Sequence, residues 1–212
     1  MLIYLLADIL FIDINAANEI KNMIGNDKMK NTKAIKNISN VLTIFLLIVV
    51  SLLLVRNICY VKIVVSGESM SPNLHNADYG YAIKTNYAKT HINRFSIVIF
   101  ENETSKEDII KRVIGLPGET ISFKGEGNDL YVNGQLIDQY FIDEEMIKDT
   151  LLYGSYSTDE EIIIPENSYF VLGDNRTNSI DSMHGLGFIK QKQIIGVLSF
   201  IFPNKGYGFK YF

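Results

Sequence analysis

The hydrophobic pattern divides the chain into an apolar run near its start and a longer segment of short, alternating stretches. No charged residue occurs between Asn37 and Val55, and this run is close to the roughly 20 residues that cross a bilayer as a helix. We therefore predict a transmembrane helix over residues 37–57. A buried core helix is the alternative, but a helix that is apolar on all sides requires lipid or a large core around it.

Basic residues flank this run unequally, because only Arg56 and Lys62 follow it closely. The lysines that precede it are Lys21, Lys28, Lys30, Lys33 and Lys36. By the positive-inside rule, residues 1–36 stay in the cytoplasm and residues 58–212 lie on the extracytoplasmic side of the plasma membrane. The apolar patch at residues 2–14 is too short to span a bilayer, so we expect an interfacial helix there.

From residue 58 onward the pattern predicts β-strands, because short runs of β-branched and aromatic residues alternate with turn residues. The predicted strands are 60–65, 79–83, 96–101, 108–115, 121–123, 161–165, 168–174 and 194–202. Residues 130–137 predict a hairpin, since Asn133-Gly134 favours the type I′ turn, and a short helix is expected near Asp143–Thr150. The fold class is therefore mainly β, an antiparallel β domain behind an N-terminal transmembrane helix, with residues 121–123 continuing one sheet.

Composition excludes several classes of function. The formal net charge is −4, and no basic stripe occurs outside the N-terminal region; we therefore expect no nucleic acid partner. Cys59 is the single cysteine, so no intrachain disulfide can form. No spaced cluster of His and Cys indicates zinc, and we expect neither a metal nor a cofactor.

Three polar clusters in the β region carry candidate chemistry. Residues 66–74, SGESMSPNL, place Ser69 in a turn, and residues 111–119, KRVIGLPGE, place Lys111 in an apolar strand. The third cluster, GDNRTNSIDSMHGLGFI at residues 173–189, is a polar loop after an apolar strand. Taken singly, these are an ordinary turn, an edge-strand lysine and a surface loop.

Lys111 can act as a base if its side chain points inward. Desolvation would then lower the pKa of Lys111, and a neutral amine can accept the proton of a serine hydroxyl. Arg112, the next residue in the strand, would face the opposite way.

Together and in order, the three clusters resemble the sequence boxes of the bacterial type I signal peptidases, membrane-bound serine endopeptidases with a Ser-Lys dyad. SIVIF at residues 96–100 resembles a fourth box, and the resemblance covers about residues 58–202. It implies a signal-peptidase-like β fold and the removal of signal peptides from exported preproteins. Cleavage would follow small residues at A-x-A-like sites, with membrane lipid as the other partner.

The resemblance also implies a role for each matching residue. Ser69 matches the nucleophile, Lys111 the general base, and Ser179 the serine that hydrogen-bonds the lysine ammonium. Asp181 matches the acidic residue that supports this loop. Gly67 matches a position where some relatives carry a serine that donates to the oxyanion, so the backbone N–H of Ser69 is expected to serve here.

The same resemblance implies two further sets of residues, one that supports the site and one that lines the substrate pockets. Additional supporting positions are Arg112, Asp174 and Arg176. The shallow apolar pockets that relatives use for small substrate side chains correspond to Ile63, Val65 and Ile110.

The sequence departs from the family pattern at four positions. Many relatives carry Gly-Asp, Arg and Thr where this chain has Phe95-Ser96, Met183 and Asn73. With methionine at position 183, an Asp181–Arg contact is lost unless Arg176 or another base replaces it.

Other functions stay open on the sequence alone. The chain has three histidines, His75, His91 and His184. A Ser-His-Asp hydrolase is therefore an enzymatic alternative, although no GxSxG elbow is present. The departures at Phe95, Ser96 and Met183 favour an inactive membrane-tethered domain that binds extended peptides or serves in assembly. A third hypothesis retains the chemistry but restricts it to specialised precursors.

Overall fold

The structure is a computed structural model that describes residues 29–84, 92–125, 129–147, 156–157, 159–205 and 208–212. The chain forms two compact units, Met1–Arg56 and Asn57–Phe212. The predicted interfacial helix at residues 2–14 lies outside the described residues, as does His91.

The first element is the helix α1, Met29–Cys59, which contains neither glycine nor proline. Its part Ile35–Cys59 is long and apolar enough to cross a membrane, and none of its most apolar window is buried by the rest of the chain. Arg56 lies in the last turn, where a positive charge interacts favourably with the helix dipole. The helix predicted over residues 37–57 is thus present and extends further at its N-terminal end.

All strand pairings in the described part of the chain are antiparallel, and the mainly β fold class is confirmed. The strands are β1 Tyr60–Val64, β2 Tyr79–Lys84, β3 Ile97–Glu101, β4 Asp108–Gly115, β5 Thr120–Lys124, β6 Asp129–Val132, β7 Gln135–Ile137, β8 Ile162–Ile163, β9 Ser168–Leu172, β10 Ile189–Lys190, β11 Ile194–Phe202 and β12 Lys210–Tyr211.

These strands form two sheets, as far as the described residues go. The larger has the order β1-β2-β11-β3-β4-β9-β10, with β12 added to β11, and the smaller has the order β7-β6-β5-β8. Residues 121–123 were expected to continue one sheet, and this is wrong, because β5 belongs to the smaller sheet. The tight turn after β4 reverses the chain with Gly118 at φ +77°, so Ile121 and Phe123 pack into the core that both sheets share.

The other local predictions for this region are confirmed. Asn133 and Gly134 have φ of 48° and 78°, the two positive values that a type I′ turn requires, and they join β6 to β7. A short helix, α2, spans Glu144–Ile147; the rest of the predicted stretch lies outside the described residues.

A second apolar core supports the loop that follows β1. Met70 and Leu74, both in this loop, are buried with residues of β1, β2, β3 and β11. Two apolar side chains therefore fix a polar turn to the larger sheet. The same sheet carries β4, so the two elements that bear Ser69 and Lys111 share one support.

Candidate active site

The structure brings Ser69 and Lys111 together, although 42 positions separate them in the chain. The Nζ atom of Lys111 lies 2.8 Å from the Oγ atom of Ser69 and also donates to the carbonyl of Ile110 at 3.0 Å. The Lys111 side chain is almost wholly buried, with 4% of the residue exposed. A buried amine is thus in hydrogen-bond contact with a serine hydroxyl.

The loop that carries Ser69 is held from both sides. Below it, Met70 and Leu74 are buried, and the Ser71–Pro72 peptide bond is cis. From the other side, the backbone N–H of Asn175 donates to the carbonyl of Ser69 at 3.1 Å.

Gly67 lies in this loop with a φ of +87°, a backbone conformation that favours glycine. Its N–H donates to Oδ1 of Asn76 at 3.1 Å. This amide is therefore already engaged within the loop.

The environment of Lys111 favours the neutral amine. Desolvation by burial lowers the pKa of Lys111 from 10.5 to about 8, and the carboxylates of Asp181 and Asp174 oppose part of this shift. With a pKa near 8, about a tenth of the molecules carry a neutral amine at pH 7, against well under a thousandth for an ordinary lysine.

Arg112 makes its contacts away from Ser69, as expected from the alternation of side chains along a strand. Its Nε and Nη2 atoms donate to the two oxygens of Asp174 at 2.7 and 2.6 Å. Nη1 donates to the carbonyl of Phe95 at 2.9 Å, and the guanidinium lies 4.2 Å from the ring centre of Phe141. This buried, bidentate ion pair joins β4 to the loop after β9.

Asn73 strengthens the same junction. Its side-chain amide donates to Oδ2 of Asp174 at 3.0 Å and to the carbonyl of Phe141 at 2.6 Å. The departure from the family pattern at this position therefore provides two hydrogen bonds.

The side chain of Arg176 is buried beneath the loop after β9, with 1% of the residue exposed. Nε donates to the carbonyl of Gly173 at 3.0 Å, and Nη2 donates to Oε1 of Gln139 at 2.7 Å. Arg176 thus ties this loop to the segment between β7 and α2.

Asp181 is completely buried and receives several hydrogen bonds. Oδ2 accepts from the N–H of Gly173 at 3.0 Å, and Nδ1 of His184 lies 2.8 Å from Oδ1. Met183, where many relatives carry arginine, packs into the apolar core between the sheets. Among the described residues, His184 thus provides a basic side chain within hydrogen-bond distance of Asp181, and Arg176 interacts with the same carboxylate through its charge.

Ser179 does not make the hydrogen bond to Lys111 that the resemblance implied. Its Oγ atom is buried and has no hydrogen-bond partner among the described residues. The hydroxyl packs instead against Gly173, where an added Cβ atom would lie 2.2 Å from it. Ser179 still lines the same groove as Lys111.

This groove has a volume of about 960 Å³ and runs past Ser69 and Lys111. Of the three predicted pocket residues, Val65 and Ile110 line it. Ile63 packs in the apolar cluster below, together with the other two. Within the described residues, no group of three or more His, Cys, Asp or Glu side chains is arranged to hold a metal ion.

Several residues of the site could not be found from the sequence. Gln139 and Phe141 contact the supporting network through side chain or backbone, yet neither lies in one of the three clusters. Asn175 belongs to the third cluster, but its contact with Ser69 was not predicted. His184 was noted only as a histidine near the third cluster.

Comparison with other proteins identifies the family to which the chain belongs. The family model described as signal peptidase, peptidase S26, matches residues 38–203. Signal peptidase I S of Bacillus subtilis (strain 168) is 34% identical over 177 residues, 82% of this chain and 94% of that protein. Signal peptidase I of Bacillus caldolyticus is 39% identical over 155 residues, 70% of this chain and 82% of that protein.

A crystal structure of a signal peptidase I from Enterococcus faecalis V583 is also similar. It is 34% identical, with a TM-score of 0.42, and the alignment covers 50% of this chain and 96% of that chain. The family model spans most of the sequence, and the two Bacillus proteins are matched over most of their length. The chain therefore belongs to the signal peptidase family, peptidase S26, and is a serine peptidase of the signal peptidase I type.

Proposed function

We propose that this peptidase removes signal peptides from preproteins with Ser69 as nucleophile and Lys111 as general base. The observation that carries the proposal is the 2.8 Å contact between a buried amine and a serine hydroxyl. Serine is barely ionised at neutral pH and needs a base within hydrogen-bond reach. The lowered pKa of Lys111 supplies the neutral amine.

The reaction follows the logic of other serine peptidases. Lys111 takes the hydroxyl proton while Ser69 Oγ attacks the scissile carbonyl, and a tetrahedral intermediate forms. As the C–N bond breaks, the ammonium returns this proton to the leaving amine, and the signal peptide remains as an ester on Ser69. Lys111 then takes a proton from water, whose oxygen attacks the ester carbonyl. As the ester C–O bond breaks, the ammonium gives this proton to Ser69 Oγ, and the signal peptide leaves with a carboxylate terminus.

The negatively charged oxygen of the tetrahedral intermediate requires a hydrogen-bond donor. We assign this role to the backbone N–H of Ser69, because the N–H of Gly67 is engaged with Asn76. The hydrogen bond from Asn175 to the carbonyl of Ser69 supports the assignment by fixing the local backbone. Preorganised backbone donors of this kind stabilise an oxyanion at little cost during the reaction.

An extended substrate fits the open edge beside β1. Val65 bonds to Asp78 and Ala77 on one side, so the backbone groups of Val64 and Ser66 point the other way, as alternation in antiparallel pairing requires. A peptide can add there as a strand. The small apolar surfaces of Val65 and Ile110 favour small side chains next to the scissile bond.

We further propose that the enzyme is anchored by α1, with its N-terminus in the cytoplasm and the β domain outside. The β domain itself offers a second contact with lipid. Tyr79 stacks on Phe202 with ring centres 5.1 Å apart, and Phe209 packs edge-on against Tyr211 at 5.1 Å. Most of these rings are exposed, and aromatic side chains are typical of membrane interfaces.

The alternative hydrolase mechanism has less support. His75 contacts Ser71, and His184 contacts Asp181, whereas the described partner of the Ser69 hydroxyl is Lys111. The departures at Phe95 and Met183 leave this pair intact, which favours an active enzyme over an inactive binding domain.

The test is cleavage of a preprotein with an A-x-A site by the full chain in detergent. Ser69→Ala and Lys111→Ala should each abolish cleavage, whereas the exposed-residue controls Ser105→Ala and Lys124→Ala should cleave like the wild type. Substantial cleavage by Lys111→Ala would refute the base assignment. Cleavage after large residues would refute the proposed selectivity.

A further inference from the structure

His184 is the side chain that holds the Asp181 carboxylate. Nδ1 of the imidazole lies 2.8 Å from Oδ1 of Asp181, with 13% of the histidine side chain exposed and none of the aspartate side chain. A hydrogen bond to a carboxylate at a buried site of this kind contributes more than the same contact in water. The contact forms within a turn, since the two residues are three positions apart.

The carboxylate ties this turn to the end of β9. Oδ1 accepts from the backbone N–H groups of Met183 at 3.1 Å and His184 at 3.2 Å, while Oδ2 accepts from Gly173 at 3.0 Å. If the imidazole is removed, one of the donors that fix the orientation of the carboxylate is lost.

Gly173 connects this carboxylate to the dyad by direct packing. A Cβ atom added at Gly173 would lie 2.2 Å from Ser179 Oγ and 2.5 Å from the carbonyl oxygen of Ser69. The backbone at Gly173 is therefore in close contact with the nucleophile loop. A shift of Asp181 would be transmitted to Ser69 through this one residue.

Asp181 also acts on Lys111 through its charge. Among the carboxylates that raise the pKa of Lys111 against desolvation, Asp181 has the largest effect and Asp174 the next. Asp174 is neutralised by a direct ion pair with Arg112. The partner of Asp181 therefore influences how strongly this site favours the ammonium form.

Other charged groups surround the pair. Arg176, from the loop after β9, interacts electrostatically with Asp174, Asp181 and Arg112. Among the described residues, Asp181 thus interacts through its charge with Lys111 from β4 and with Arg176 from its own loop, and Asp174 and Arg112 act on these same two groups.

We propose that His184 is a positioning residue of the dyad, which fixes Asp181 and sets how strongly Asp181 stabilises the ammonium form of Lys111. This inference rests on the proposed Ser-Lys mechanism. It assigns a role in the reaction to a residue that does not touch the substrate, through contacts of this chain alone.

The direction of the effect follows from the charges. Without a donor at position 184, Asp181 keeps its backbone donors and the field of Arg176 but loses the hydrogen bond from the imidazole. Its negative charge then acts more strongly on Lys111, so the pKa of Lys111 rises and less neutral amine is present. With a fixed positive charge at this position, the pKa of Lys111 falls. In a plot of kcat/KM against pH, the acid limb is the part that rises as Lys111 loses its proton. The variants His184→Leu and His184→Arg should therefore move this limb in opposite directions.

The experiment measures kcat and KM of the full chain in detergent between pH 6 and 10 (a range of about four units around the pKa of Lys111), with a peptide that contains an A-x-A site. His184→Leu should move the acid limb to higher pH and lower kcat at pH 7.5 by about three- to tenfold, with KM changed less than about twofold. His184→Arg should move the limb to lower pH. His184→Asn, whose amide can replace the Nδ1 donor, should restore most of kcat.

Lys124→Leu is the charge control, because it removes an exposed charge of the smaller sheet and should leave the limb in place. Acid limbs of His184→Leu and His184→Arg that coincide with the wild type, or that move together, would overturn the role. If His184→Leu does not fold, the acid limbs of His184→Asn and His184→Arg are compared instead. The limb of His184→Arg should lie at lower pH, and coincident limbs would overturn the role. Wild-type cleavage that persists in Ser69→Ala would overturn the proposed mechanism and this inference together; cleavage that depends on Ser69 with an unmoved limb overturns only the inference.

Discussion

Arg112 neutralises Asp174, and this leaves the adjacent Lys111 without a carboxylate partner. The two basic residues follow each other in β4, yet Arg112 forms a bidentate pair with Asp174. Lys111 contacts Ser69 and the carbonyl of Ile110, and no carboxylate of the described residues lies within ion-pair distance of it. One strand thus supplies a permanently charged structural side chain and a titratable one, the proposed general base.

The buried pair predicts a large effect on stability. Arg112→Met should lower the free energy of unfolding by about 3–5 kcal/mol, because Asp174 would remain buried without its partner. The measurement is thermal or denaturant unfolding of the detergent-solubilised chain, followed by near-UV circular dichroism. The double variant Arg112→Met/Asp174→Asn should recover part of the loss; a single variant as stable as the wild type would show that the pair is dispensable.

The pKa of Lys111 predicts the pH dependence of cleavage. The base must be neutral to act, so kcat/KM should rise with pH through a midpoint at about 8. The profile should be measured with a peptide that carries no titratable group near the scissile bond. A midpoint near 10.5 would mean that the site does not lower the pKa, and a flat profile would mean that Lys111 is not the base.

Burial of Lys111 also has a cost in stability that depends on pH. A lysine whose pKa falls from 10.5 to about 8 on folding binds its proton more tightly in the unfolded chain. The resulting penalty is fully present below pH 8 and disappears as the pH rises toward 10.5; a depression of this size corresponds to about 3 kcal/mol.

Lys111→Met should therefore be more stable than the wild type by about 1–3 kcal/mol at pH 7, with part of the gain offset by the lost contact with Ser69. The difference should shrink between pH 8 and 10.5. Unfolding of both proteins at pH 7 and pH 10 checks this, and Lys124→Met is the exposed control. A difference that does not change with pH would contradict the linkage.

Ser179→Ala should separate activity from stability. The hydroxyl of Ser179 is buried and has no hydrogen-bond partner in the part of the chain that the structure describes, so its removal should leave the free energy of unfolding unchanged or raise it by up to about 1 kcal/mol. Turnover should nevertheless fall about tenfold, because catalytic hydrogen bonds can form only when substrate is bound. An unchanged kcat would show that Ser179 does not orient Lys111.

Phe95 offers a comparison of strain with packing. Its φ of +69° is unfavourable for an L-residue, while its ring packs 4.8 Å from Phe141 and 5.7 Å from Tyr140. Phe95→Gly loses the packing but relieves the backbone, whereas Phe95→Ala loses packing and keeps the strain. We expect both variants to be less stable than the wild type, and the glycine variant to exceed the alanine variant by about 1 kcal/mol. The reverse order in unfolding experiments would contradict this.

The strands were predictable because their apolar pattern is local. The prediction for β4 at residues 108–115 agrees with the structure, and so does the hairpin at Asn133-Gly134. The sheet to which β5 belongs was not predictable, because it depends on the direction in which the turn at Gly118 sends the chain. A turn signal shows that the chain reverses and does not specify the partner that the next strand finds.

The site divides in the same way. The pair Ser69–Lys111 and the supporting positions in the same clusters could be predicted from clusters that recur in order, but the contacts that these positions make with other segments could not. Asn73, Gln139 and Phe141 meet the network only through packing between distant segments. The buried hydroxyl of Ser179 and the contact of His184 with Asp181 likewise depend on packing that the sequence pattern does not specify.

The close packing at Gly173 also limits which sequences can replace this one. A methyl group there would overlap the carbonyl oxygen of Ser69 and the hydroxyl of Ser179, so even alanine would force the backbone at position 173, Ser179 or the loop of Ser69 to shift. Any substitution at position 173 therefore adds a side chain where there is no room for one, although Gly173 contributes no functional group of its own. The absence of a Cβ atom at Gly173 is thus a requirement of this site, as the side chains of Ser69 and Lys111 are.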